Sequence, residues 1–133
     1  METKMTLPAL DVAYLSENGI SHEIVSDGGM ICVVIPDFPL PVGLNLASSD
    51  LLLRLSPGYP DVTPDMWWFG TSVTYKDGRT IPQTESMEPY LGRTWQRWSR
   101  HFDQGRWKPG LDCLESFLAV IRSDLNKYAA VAA

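Results

Sequence analysis

Ser99 and His101 stand two residues apart in the stretch Trp95-Gln96-Arg97-Trp98-Ser99-Arg100-His101, and they offer a hydroxyl nucleophile beside an imidazole base. Their geometry depends on the local fold. On an extended chain the two side chains share a face, whereas on a helix they point to nearly opposite sides. Each also has an ordinary structural use, Ser99 as a local backbone cap and His101 as a hydrogen-bonded brace. Two thiols complete the nucleophiles. Cys113 follows Trp107-Lys108-Pro109-Gly110-Leu111-Asp112 and shares its segment with the core-type residues Phe117 and Leu118, as an inert packed thiol does. Cys32, within Met30-Ile31-Cys32-Val33-Val34, reads as structural.

Around the Ser-His pair lie aromatic and cationic side chains. Trp95, Trp98 and Phe102 fall at helical spacing and are expected to pin one helical turn to the core or to form a binding surface. Arg93, Arg97, Arg100 and Arg106 form either a solvated face or a set of guanidinium forks suited to a carboxylate-bearing partner. Residues 91–110 carry a net +4, although the whole chain is −5 and the remainder therefore −9. General affinity for nucleic acid is disfavoured by that total, while a local basic patch remains open.

The chain that positions these residues has 133 residues, 44% of them hydrophobic, enough for one domain with one core. A single domain over residues 1–133 is expected, frayed after about residue 128. Neither a disulfide framework nor a zinc spacing is present, and no cofactor is expected. The first residues lead into no apolar signal core and no apolar run reaches the ~18 residues of a membrane span, so the expected compartment is the cytoplasm.

Residues 8–18 predict a helix with Leu10, Val12, Ala13, Tyr14 and Leu15 as its apolar side and Asn18-Gly19 as its stop. Residues 22–25 and 30–35 flank Ser26-Asp27-Gly28-Gly29, a hairpin signal. Pro36, Pro39 and Pro41 lack backbone donors, so residues 36–45 are expected to run as a surface connection. Strands are expected again at residues 51–55 and 66–69, with a small hairpin around Asp77-Gly78. From Leu111 onward, Leu114, Phe117, Leu118, Ile121, Leu125 and Tyr128 recur at three- and four-residue steps, the strongest helix in the chain. The fold class is α+β: an N-terminal helix, an antiparallel meander of about four strands, a long irregular crossing of roughly thirty residues and a C-terminal helix. Long irregular crossings are often functional.

Two proline-marked strings sharpen this order. Residues 53–69 read LRLSPGYPDVTPDMWWF, in which Pro60 fixes a turn and Tyr59 can close it over the sheet, and Trp107-Lys108-Pro109 precedes the last helix. A Tyr-Pro turn with a second proline after the third strand, then a Trp-x-Pro before a helix, resembles the ubiquitin-conjugating enzyme superfamily. Further strings resemble its bacterial members of prokaryotic family E: Tyr14-Leu15, Phe38-Pro39-Leu40-Pro41, Pro64-Asp65-Met66, the run from Trp95 to His101, and Trp107-Lys108-Pro109-Gly110-Leu111-Asp112. The resemblance implies the ubiquitin-conjugating fold and association with a ubiquitin-like modifier, an adenylating activating enzyme and a JAB-type metalloprotease encoded alongside.

In that superfamily the modifier is carried on a cysteine shortly before the Trp-x-Pro, yet residues 69–107 contain no cysteine. Ser99 and His101, eight and six residues before Trp107, occupy the expected stretch, Ser99 as an oxyester acceptor and His101 as its base or as the acceptor itself. Cys113 is the nearest thiol. The partner-facing residues are expected to be Trp95, Arg97, Trp98, Arg100 and Tyr59. The expected function is a conjugating-enzyme-like component that receives or positions the modifier without the usual cysteine, a transferase if it acts through another or an oddly placed residue. A non-catalytic adaptor for the modifier or activating enzyme is the alternative, and single-stranded nucleic-acid binding is a third.

Overall fold

The computed structural model describes residues 7–100, 106–109 and 111–131. Its elements are α1 (Ala9–Glu17), β1 (Glu23–Asp27), β2 (Met30–Pro39), β3 (Ser48–Leu55), β4 (Trp67–Phe69), β5 (Met87–Tyr90), β6 (Arg93–Trp98) and α2 (Leu114–Val131). The six strands form one antiparallel sheet in the order β1-β2-β3-β4-β6-β5.

α1 ends as its sequence dictates. Gly19, at φ +62, lets the backbone N–H of Gly19 and Ile20 turn back onto the carbonyls of Ser16 and Leu15. The inward face is not the expected one. Leu10 is 72% exposed and Val12 also faces solvent, whereas Asp11 and Leu15 are buried. Steps of four residues align Leu7, Asp11 and Leu15, so the buried row contains an acid and the adjacent apolar residues point away.

The β1–β2 hairpin forms around Gly28-Gly29, both at positive φ, with Asp27 opposite Met30. That is the backbone twist a two-residue turn requires. β2 then runs farther than its prolines suggested. It continues to Pro39 because the register slips between Ile35 and Phe38, a bulge that absorbs Pro36, with Asp37 at φ +51 and Phe38 buried. The surface connection thus begins only after Pro39.

A second difference concerns the crossing. Residues 87–98 form the β5–β6 hairpin, so the sheet has six strands where about four were expected. Pro89 lies in β5 at the edge of the sheet, where its missing donor is tolerated. Trp95 and Trp98 therefore sit on a strand, not on one helical turn, and an odd separation sends them to opposite faces. Phe102 lies outside the described residues. Around Asp77-Gly78 the chain makes a tight turn, with the Tyr75 N–H on the Arg79 carbonyl at 3.0 Å, and no paired strands.

Alternation along the strands divides the interior. Ile31, Val33 and Ile35 of β2, Leu51, Leu53 and Leu55 of β3, Trp67 and Phe69 of β4 and Trp98 of β6 face the helices, where Leu114, Phe117, Leu118, Ile121 and Leu125 of α2 complete the main core. Cys32, Leu52, Trp68 and Trp95 pack on the other face. Charged side chains close that face. The Arg54 guanidinium lies 3.8 Å from the Tyr90 ring centre, and Glu88 accepts hydrogen bonds from Trp68 Nε1, Tyr90 Oη and Arg97. Cys32 is fully buried there and its thiol pKa is pushed up by that burial, with Arg54 opposing. α2 starts at Leu114, leaving Leu111 79% exposed before it, and no described helix is long and apolar enough to cross a membrane.

Candidate functional site

β3 ends at Leu55, and Ser56-Pro57-Gly58 turns the chain so that Tyr59 swings back under the sheet. Ser56 makes the turn: its carbonyl accepts from the Tyr59 N–H at 2.9 Å and its Oγ from the Gly58 N–H at 3.1 Å. Gly58 packs closely, since a Cβ there would approach Val62 Cγ2 to 2.6 Å and oblige that side chain to move. Tyr59 is buried, and the Tyr59-Pro60 peptide bond is cis.

The two proline-marked strings, 47 residues apart, meet here. Trp107 Nε1 donates to the Pro60 carbonyl at 2.8 Å, and the Tyr59 and Trp107 rings lie 6.1 Å apart, tilted by 45°. After Trp107 the backbone is folded tightly, with the Lys108 N–H on Asp112 Oδ2 at 2.7 Å and the Leu111 and Asp112 N–H groups on the Lys108 carbonyl. That turn delivers Cys113 to the start of α2. Its N–H donates to Ser116 Oγ at 3.3 Å, its carbonyl accepts from Phe117, and its side chain is partly exposed.

α1 reaches the same corner through Asp11. Asp11 Oδ1 accepts the Leu114 N–H at 2.9 Å, which satisfies one of the free donors at the start of α2. Asp11 Oδ2 and Tyr59 Oη are both buried without a hydrogen-bond partner of good geometry among the described residues. They are nonetheless neighbours. The Tyr59 phenol pKa is raised far above its ordinary value, first by burial, then by the adjacent Asp11 carboxylate and by Cys113.

Ser99 is elsewhere. Its N–H donates to the Gln83 carbonyl at 3.0 Å, and its Oγ accepts from Arg97 Nε at 2.9 Å. Its own carbonyl accepts from Arg100, whose Nε pairs with Asp124 at 2.8 Å and whose other nitrogens reach the Pro82 carbonyl and Tyr128 Oη. Asp124 lies ten residues, roughly 15 Å of helix rise at ~1.5 Å per residue, beyond Leu114 on α2, so Arg100 and the adjoining Ser99 are anchored away from the helix start. His101 lies outside the described residues.

Of the expected partner-facing residues, Tyr59, Trp95 and Trp98 are buried, and Arg97 and Arg100 are partly exposed. Arg97 is paired with Glu88 at 3.0 Å and Arg93 with Asp50 at 3.0 Å. The structure brings together Tyr59, Trp107 and Cys113 and adds Asp11. The sequence signal that could have found Asp11 is an acid in the four-residue row Leu7-Asp11-Leu15.

An N-terminal helix, an antiparallel sheet and a C-terminal helix, with a Tyr-Pro turn held by the tryptophan of a Trp-x-Pro, define an α+β domain consistent with the ubiquitin-conjugating type. The family model of prokaryotic E2 family E matches residues 7–128, and the chain belongs to that family. The class carries with it an E2-like role in a ubiquitin-like pathway. Neither a curated protein nor a solved structure matches the chain.

Proposed function

We infer that the protein is a carrier for a ubiquitin-like modifier, taking the modifier's C-terminal carboxyl from an adenylating activating enzyme in the cytoplasm, with a JAB-type protease as a further pathway partner. The acceptor favoured by the geometry is Cys113. The observation that carries this reading is the position of Cys113 at the corner built by Tyr59, Trp107 and Asp11. In the transfer the Cys113 thiolate attacks the thioester carbonyl on the activating enzyme, a new C–S bond forms, and the activating enzyme's cysteine leaves as a thiolate that takes up the proton. Arg97, paired with Glu88 on the sheet's outer face, and Arg100, paired with Asp124 of α2, belong in this account to further contacts for the modifier or activating enzyme.

The test is to incubate the protein with activating enzyme, ATP and processed modifier and to measure intact mass. The expected product is a one-modifier adduct removed by reductant, as a thioester is. No adduct would discard the carrier reading.

One observation favours the adaptor instead: residues 69–107 hold no cysteine. The adaptor reading requires tight binding of modifier or activating enzyme with no covalent product. Nucleic-acid binding is less supported, because Arg93, Arg97 and Arg100 are each paired with an acid inside the fold.

A further inference from the structure

Asp11 is a carboxylate with 1% exposure on a nine-residue helix whose neighbouring leucine and valine face solvent. Burying a carboxylate is costly unless it is hydrogen-bonded, so its position needs a counterpart. Ser49, Thr84 and Gln96, also buried, are satisfied within the fold. Ser49 bonds both ways with Thr71, Thr84 donates to the Ile81 carbonyl, and Gln96 accepts from and donates to Val73. Asp11 differs. One oxygen holds the first N–H of α2, a contact spanning 103 residues of sequence, the other is buried without a hydrogen bond, and the carboxylate lies beside Tyr59. Trp67 Nε1 is likewise unpaired, but it is the neutral donor of a ring packed in the main core, where a carboxylate is not at stake.

The consequence concerns Cys113. It is the residue immediately before the N–H that Asp11 holds, and it is tied to α2 by its carbonyl and by Ser116. Loss of the Asp11 contact would release a donor at the helix start, and unsatisfied helix ends fray. We propose that Asp11 is a positioning residue for Cys113: through the Leu114 N–H and the Tyr59 hydroxyl, α1 fixes where the thiol stands at the Tyr59-Trp107 corner. This rests on Cys113 being the acceptor. It adds that the N-terminal helix sets the acceptor's geometry.

The test is site-resolved alkylation of the native protein by iodoacetamide, with Cys113 and Cys32 followed separately by mass spectrometry. Cys32 has no exposed surface and reports global opening. Asp11→Ala is expected to speed Cys113 labelling about fivefold, whereas Asp11→Asn, which keeps an oxygen for the Leu114 N–H, stays within about twofold of wild type. Cys32 labelling should not change in either. Equal Cys113 rates in wild type and Asp11→Ala overturn the proposal. So does an Asn variant as fast as the Ala variant, or a parallel rise at Cys32, which would mean a general loss of structure. If Asp11→Ala does not fold, Asp11→Glu replaces it, since the charge is kept but the oxygens move by one methylene. The same acceleration is then expected, and a wild-type rate overturns the idea. Alkylation needs neither modifier nor activating enzyme, so a missing adduct in the transfer assay would count against the function and leave this result readable.

Discussion

Asp50 illustrates how single residues hold the sheet's outer face together. Its Oδ1 accepts the Asp37 N–H at 2.9 Å and its Oδ2 pairs with Arg93 at 3.0 Å. The Asp37 N–H, against some burial and with help from Arg93, holds the Asp50 carboxyl below the usual carboxylate range. A carboxyl whose folded pKa lies below its unfolded value stabilises the fold fully above about pH 4, and that contribution disappears as pH falls through the folded value. Asp50→Asn is therefore expected to cost on the order of 1 kcal/mol at pH 7, after allowance for solvent screening, and progressively less as pH falls through the folded value. Thermal unfolding of both proteins from neutral to acid pH measures it. At this scale the sequence was partly legible. Tyr59 and Trp107 announce themselves because a tyrosine before proline and a Trp-x-Pro ahead of a helix are local signals. Asp11 does not, since its role depends on a contact 103 residues away.

Elements were legible where local chemistry decides them. The β1–β2 hairpin follows from Gly28-Gly29, and α2 from its three- and four-residue apolar steps. The β5–β6 hairpin was not, because Pro89 and the charges of Glu88, Arg93 and Arg97 obscure an alternating pattern, and because Trp95 and Trp98 mimic helical spacing. Pairing with β4 on one side and within the hairpin on the other establishes that the segment is a strand. The connection after β2 is held against the far end of α2. Gly43, at φ +113, packs so closely that a Cβ would come within 2.8 Å of the Ala129 carbonyl oxygen. Gly43→Ala combines backbone strain with that overlap and is expected to destabilise the fold by about 1–3 kcal/mol. Chemical denaturation should show the midpoint falling with an unchanged slope.

Over the whole molecule, the sheet places its two faces in different roles. One carries the main core under α2, and the other closes itself with Arg54, Glu88, Tyr90 and Arg97. The candidate site lies where β3 leaves the sheet, where α1 meets the start of α2 and where Trp107 covers the Tyr59-Pro60 turn. Ser99 follows β6 and is anchored away from the start of α2, which sequence distance could not reveal: Ser99 lies eight residues from Trp107 but is tied through Arg100 to Asp124. Membership of prokaryotic E2 family E gives the class, and the position of the thiol at the corner gives the mechanism its test. The most direct measurement is to run the activating-enzyme reaction with wild type, Cys113→Ala and Ser99→Ala and to map any adduct by peptide mass. The account predicts a thioester on Cys113, absent from Cys113→Ala and undiminished in Ser99→Ala. A reductant-resistant adduct that survives Cys113→Ala and disappears in Ser99→Ala would contradict it.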